Sequence, residues 1–367
     1  MNIYNWILLG CLGGLTGCAN DEEPRLSARH TLLVYLAGDN NLSWETTQKI
    51  KAMAEGFHDE DNHLLVYQDY SHAAAGEQAS PLLLKLEATG ANSPARIDTV
   101  ERYAPENSAS AEVFGRVLRQ VAQEYPAESH GLLLFSHGTG WLSQGTFARP
   151  RSITADGKNE MEVRDFAAVI PDGHFDYIVF EACLMAGVEV AYELRHKTRY
   201  LLASSAEIIS PGFTPVYPNL IPYLFEPTPN LIGFARRFHT YMDGLSGLYR
   251  SSTLSVIATE GIEELARQVL PVLRQPSQPA PESVQEFNRN AALLYFDLGH
   301  YMELAATTEQ LQSFRKALDK VVLYQAATPQ FVGTPVKHHS GLTVYLPQEK
   351  YPYLNAEYTK YQFGNRW

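Results

Sequence analysis

Cysteine is scarce in this 367-residue chain, which has only Cys11, Cys18 and Cys183. So few thiols exclude a disulfide scaffold, and no zinc-site or EF-hand spacing stands out. Also missing are a Lys/Arg-rich run, an internal repeat, a low-complexity tract and an apolar stretch long enough to cross a bilayer as a helix. A formal net charge of -12 without a basic stripe excludes nucleic acid as a partner. The composition, 45% hydrophobic and 19% charged, is that of a globular protein and excludes disorder or a fibrous repeat. The length suffices for one large core or two medium ones.

What is present starts at the N-terminus. From Trp6 to Gly17 the chain is apolar or small, which suits the core of a signal peptide. The run ends in Leu15-Thr16-Gly17-Cys18, which resembles the bacterial lipobox and implies a lipid on Cys18. An acidic spacer, Asn20 to Pro24, follows. Residues 1–18 are therefore expected to be a lipoprotein signal peptide and 19–30 a tether. The location expected is extracytoplasmic, with a lipid anchor in the bacterial membrane, at the outer membrane or cell surface. Cys11 then leaves with the signal peptide, and Cys183 is the one thiol left in the folded domain. Such a thiol is either buried or used.

Continuous apolar runs recur at Thr31–Ala37, Leu64–Gln68, Leu132–Ser136, Tyr177–Glu181 and Tyr200–Ser204. Runs without alternation predict strands covered on both faces. Between them lie helical patterns: one capped by Ser43 and running to about Glu55, one capped by Ser110 and running to about Glu124, with Val113, Val117, Leu118 and Val121 on one face, and one after Cys183 with Val188, Ala191, Tyr192 and Leu194 at helical spacing. Strand alternating with helix predicts an α/β fold with a mostly parallel sheet flanked by helices. Six prolines from Pro211 to Pro229 predict a long irregular segment. Helices near Leu231–Met242 and Gly261–Leu273 follow, with apolar runs at Thr253–Ala258, Ala292–Asp297 and Leu342–Leu346. These runs either add strands to the same sheet or build a companion sheet.

In a parallel sheet the strand C-termini share one edge, where sites form. His137 and Cys183 each directly follow an apolar run, so both are expected at that edge, in reach of each other as base and nucleophile. Gly138 allows a close backbone approach and an N–H for a developing oxyanion. Cys183 is expected at the start of a helix, whose dipole favours thiolate. A lone Cys or His after a strand is more often structural; it is the pair that points to catalysis. The other histidines, His130, His174 and His300 among them, read as structural.

Ser136-His137-Gly138 and Phe175-Asp176-Tyr177-Ile178-Val179-Phe180-Glu181-Ala182-Cys183-Leu184-Met185 resemble the clostripain family of the caspase-like cysteine peptidase clan. So do Val34 to Leu42, Gly187 to Leu194 and Ser340 to Pro347. The resemblance implies a caspase-like catalytic core over 31–210 and a C-terminal α/β portion, 211–367, that completes sheet and cleft. It implies His137 as acid/base, Cys183 as nucleophile, and the backbone N–H groups of Gly138 and Cys183 as oxyanion hole. It further implies a peptide or protein substrate cut after Arg or Lys in an acidic pocket. The family usually has Asp two residues before the Cys, where this chain has Glu181, and an acidic residue before a Pro-Gly turn, where this chain has Ser210-Pro211-Gly212 with Glu207 nearest.

Asp39, Asn40 and Asn41 orient His137, line the cleft or simply make the turn. Self-cleavage, common in the family, is expected after Arg149 or Arg151, in a stretch of turn-forming residues. No cofactor is required. The resemblance admits a calcium dependence but no calcium site can be placed. The competing reading is a catalytically silent surface lipoprotein that binds peptide or another ligand on the same fold.

Overall fold

The apolar runs form the middle of one large sheet. Its strands are β1 (Ala28–Gly38), β2 (His63–His72), β3 (Leu82–Glu87), β4 (Arg96–Arg102), β5 (Ala127–Phe135), β6 (Phe175–Glu181), β7 (Thr198–Ala203), β8 (Thr253–Ala258) and β9 (Val322–Ala327). The computed structural model describes residues 28–72, 77–78, 80–91, 93–142, 154–156, 159–289 and 293–366. Cys18 and the stretch holding Arg149 and Arg151 thus lie outside the described residues. Strand order is β9-β8-β7-β6-β5-β1-β2-β3-β4. The five central strands, β7-β6-β5-β1-β2, are parallel, and the two on each flank pair antiparallel. Glu77–Gln78 adds a short pairing at the end of β2.

Burial on both faces explains why the central strands lack polar alternation. Leu33, Tyr35, Leu132, Leu134, Ile178 and Phe180 point into one apolar layer, and Leu32, Val34, Leu133, Phe135 and Val179 into the other. The first layer is covered by helices that include α2 (Ala111–Glu124), α3 (Val163–Val169) and α4 (Val188–Glu193). The second is covered by α1 (Ser43–Gly56), α5 (Tyr217–Leu224) and α6 (Leu231–Asp243). In α2, Phe114, Val117, Leu118 and Val121 share the buried stripe, and Ser110 caps the helix by accepting the Val113 N–H. Truncating a fully buried ring such as Phe114 to Ala should cost about 3–5 kcal/mol.

Three local expectations fail. Ser43 is not a cap: Leu42 holds that position without a capping side chain, while Asn40 takes the Leu42 N–H. The proline-rich segment contains a helix, α5, preceded by a single helical turn over Thr214–Val216. Pro215 and Pro218 stand at helix starts, where a missing N–H breaks no bond. Cys183 does not begin a helix either, because α4 starts at Val188.

The second half both extends the large sheet, through β8 and β9, and builds small pairs, Phe296–Asp297 with Thr343–Val344 among them. It is tied to the first half at α4. There Glu189, fully buried, accepts the Tyr345 N–H at 2.8 Å and the Tyr358 hydroxyl at 3.0 Å. Burial pushes its pKa up to about 7. The folded chain therefore holds a proton that the unfolded chain releases near 4.5, and stability falls as pH rises between those values. Glu189→Gln keeps the accepting oxygen but cannot ionise. We expect it to be on the order of 2 kcal/mol more stable than the natural chain at pH 8 and level with it at pH 4.5. Urea denaturation at the two pH values checks this, and a gap that does not change with pH would refute it. Among the described residues no helix is long and apolar enough to cross a membrane.

Candidate active site

Register places the two candidate residues. β5 and β6 are parallel neighbours in which Phe135 pairs with Glu181. His137 and Cys183 each lie two residues past that pair, at the C-terminal rim of the sheet. The backbones touch just beyond: a Cβ built on Gly138 would sit 2.7 Å from the Cys183 carbonyl oxygen and 3.1 Å from its nitrogen. Only glycine fits so close an approach. Both His137 and Cys183 are half-buried and line one cavity of about 350 Å³, together with Glu45, Glu181, Glu207, Ser210 and Arg289.

The turn after β6 explains why Cys183 lacks a helix. Leu184 takes a left-handed conformation, φ 62°. Its N–H donates to Ala206 O at 2.9 Å, and the Ala186 N–H to Ser204 O at 3.0 Å. These amides are spent on the chain leaving β7, so a helix dipole gives the thiol no support. The Cys183 thiol lies 3.9 Å from the Ile208 carbonyl, on that same chain.

His137 is held from the first strand. Its Nε2 lies 2.7 Å from Asn41 Oδ1. An amide oxygen only accepts, so Nε2 is the donor in this bond. Asn41 in turn belongs to a pinned turn. Asn40 donates to Ala37 O at 3.1 Å and to Ala155 O at 2.8 Å, while Ser136 Oγ donates to Ala37 O and accepts the Ala155 N–H. Of the three residues after β1, Asn41 orients the imidazole and Asn40 builds the turn. Asp39, expected among the pocket carboxylates, does not line the cavity and instead faces Asp69 and Asp156.

Behind the cavity wall lies a cation that the sequence reading missed. Lys49 of α1 is fully buried, with Nζ 2.7 Å from Glu181 Oε1 and 3.3 Å from Glu45 Oε2. It also donates to Thr214 Oγ1 and Pro211 O and lies 4.2 Å from the centre of the Phe135 ring. Glu181 further accepts the Phe213 N–H at 2.6 Å and the Tyr217 hydroxyl. Burial raises the Glu181 pKa, and Lys49 opposes the rise. Gly212, at φ 61°, is required because a Cβ there would meet Glu181 Oε1 at 2.3 Å. Glu45 Oε1 accepts the Ser210 hydroxyl at 2.6 Å. Glu207 pairs with Arg289 at the cavity wall. Both pocket carboxylates expected from sequence are thus present but matched by cations of the chain itself, and Glu45 is a third. The helical position of Lys49, four residues after Glu45, gave a salt-bridge signal, but nothing in the sequence aimed it at Glu181.

Residues 34–364 match the family model described as the clostripain family. The chain belongs to the clostripain family. Clostripain from Hathewaya histolytica is 27% identical over 212 residues, covering 50% of this chain and 40% of clostripain. The match thus spans less than half the length of that relative. The structure of an inactive zymogen C11 protease from Parabacteroides distasonis superposes with a TM-score of 0.81 at 31% identity, covering 93% of this chain and 98% of that one. A secreted C11 cysteine protease from Bacteroides thetaiotaomicron, in complex with an irreversible peptide inhibitor, gives 0.79 at 24% identity, covering 92% and 98%. At that identity the likeness speaks for the fold: the mixed α/β arrangement with a large, mostly parallel sheet is that of solved clostripain-family proteases.

Proposed function

We propose that the chain is a cysteine-type endopeptidase that cuts peptide bonds after Arg or Lys, with Cys183 as nucleophile and His137 as acid and base. The observation that carries this reading is the pair's position: both line one cavity, each two residues beyond a register pair of adjacent parallel strands. The Cys183 sulfur bonds to the substrate carbonyl carbon, and the oxyanion is held by the N–H groups of Gly138 and Cys183. The C–N bond breaks as His137 passes the thiol's proton to the departing amine. Water then attacks the thioester, His137 takes its proton, and the thiol is restored. Asn41 keeps the ring nitrogen that faces it, Nε2, protonated throughout, and Nδ1 carries the transferred proton.

The charge balance of the pocket supports a basic residue before the cut. Glu45 and Glu181 against Lys49 leave one negative charge in a buried cluster. A substrate guanidinium or ammonium makes that cluster neutral, and Glu45, the less engaged carboxylate, is its partner. Glu45→Gln should lower kcat/KM on Arg and Lys peptides about 10- to 100-fold, the usual worth of a charged hydrogen bond, and leave Ala peptides nearly unchanged. An equal loss on every peptide would remove Glu45 from the specificity role.

The test of the whole reading uses the chain without residues 1–18 against peptides with Arg, Lys, Asn, Asp or Ala before the cut, with Cys183→Ala and His137→Ala as controls. Turnover of Arg and Lys peptides alone is expected. No turnover of any peptide, with Cys183 inert to iodoacetamide, favours the silent lipoprotein that binds peptide. Self-processing after Arg149 or Arg151 belongs to the same proposal, and an intact mass for the fully active protein overturns that part. Anchoring through a lipid on Cys18, outside the cytoplasm, completes the proposal.

A further inference from the structure

Among the described residues that line the cavity, Arg289 alone carries a fixed positive charge. It reaches the wall from the C-terminal half, on a segment fastened beside the site. The Phe287 N–H donates to Tyr295 O at 3.0 Å, and the Tyr295 hydroxyl donates to Thr139 O at 2.5 Å, two residues past His137. Phe287 is also buried in one cluster with Ala206, the residue before Glu207. Packing and hydrogen bonds thus carry the guanidinium to the cavity.

One terminal nitrogen of Arg289 pairs with Glu207 Oε2. The partners are unequally covered: the Glu207 side chain is 10% exposed and that of Arg289 44%. A molecule entering the cavity meets guanidinium before carboxylate. A guanidinium has five N–H donors in a planar fork, and one carboxylate oxygen does not use them up. Glu207 precedes Ile208, whose carbonyl lies 3.9 Å from the Cys183 sulfur, so this positive face stands beside the proposed cut. Three residues after Glu207, Ser210 donates to Glu45, where Glu45, Glu181 and Lys49 leave one negative charge. Along residues 207–210 the cavity therefore changes sign.

We propose that Arg289 is a second specificity residue, which selects peptides carrying Asp or Glu directly beside the basic residue at the cut. The inference rests on the peptidase reading above and narrows its substrate class from any exposed Arg or Lys to an acidic–basic pair. The basic side chain answers the charge left by Glu45 and Glu181. The neighbouring carboxylate takes the donors that Glu207 leaves over. A Lys in the neighbouring position would instead bring like charges together, which disfavours that peptide. The guanidinium is half-exposed, so the preference has the size of a partly screened ion pair and weakens with salt.

The test measures binding to the Cys183→Ala protein without residues 1–18, by fluorescence anisotropy, with labelled peptides that contain one Arg. Asp, Asn or Lys stands directly before that Arg in one set and directly after it in the other. In one of the sets Asp should bind about three- to tenfold tighter than Asn, and Lys weaker than Asn. Arg289→Gln should bring the Asp-to-Asn ratio to about one, and Arg289→Lys should keep part of it. Glu207→Gln, which removes the competing carboxylate, should raise it. An Arg289 that only braced the C-terminal half would shift all peptides together and leave the ratio intact. Equal binding of Asp and Asn peptides in both sets, no binding at millimolar peptide, or a ratio that survives Arg289→Gln would each overturn the inference. Hydrolysis of the same peptides by the natural chain separates it from the reading beneath. Cutting without an Asp preference sinks the selectivity alone, and Asp-selective binding without any cutting sinks the peptidase alone.

Discussion

Replacing Cys183 by Ala is expected to lower kcat/KM roughly 10³- to 10⁶-fold, the range found when a covalent nucleophile is removed. Without sulfur no thioester forms, and what remains is whatever rate the oxyanion donors and substrate positioning supply. The fold should hardly notice. The thiol makes a long contact of 3.9 Å to the Ile208 carbonyl, and the side chain is only half-buried. Loss of rate with an unchanged denaturation midpoint separates a chemical role from a structural one. His137→Ala should cost nearly as much, and the double variant little more, because the two groups act as one unit. If Cys183→Ala kept a tenth of the natural rate, the nucleophile would have to be sought elsewhere.

A large stability effect of electrostatic origin is expected at Lys49. Its ammonium has no solvent contact and faces two carboxylates that also have almost none. Lys49→Met would leave Glu45 and Glu181 buried side by side without a cation, which should cost about 3–5 kcal/mol. The loss should shrink in acid, where the abandoned carboxylates take up protons. Adding Glu181→Gln should recover a large part of it. Glutamine can still accept the Phe213 N–H and the Tyr217 hydroxyl, while the repelling charge is gone. A coupling measured by urea denaturation of the single and double variants checks this. A change below about 1 kcal/mol in Lys49→Met would show that the pocket tolerates two bare carboxylates, contrary to the cost of burying unpaired charge.

These two predictions mark the boundary between what can be read along the chain and what cannot. Cys183 and His137 were legible because each ends an apolar run, and parallel strands must bring such ends to one rim. Glu181 was legible as an acid near the thiol, but its state was not. Lys49 lies far away in sequence on the first helix, and only the packing of α1 on the sheet sets its ammonium against Glu181 and over the Phe135 ring. The same holds for Arg289 and Glu207, which join the C-terminal half to the cavity wall. The expected helix at Cys183 failed because the next N–H groups are taken by the chain after β7, a competition no local propensity describes.

By itself the sequence determined the α/β class, the central parallel strands, the Ser110 cap of α2 and the two residues of the proposed catalytic pair. All of these follow from local periodicity and capping and from the geometry shared by every parallel sheet. Tertiary structure alone decided which charges meet: Glu45 with Lys49 and Glu181, and Asp39 with Asp69 and Asp156. Electrostatic energy depends on separation and on burial, and neither is carried by order along the chain.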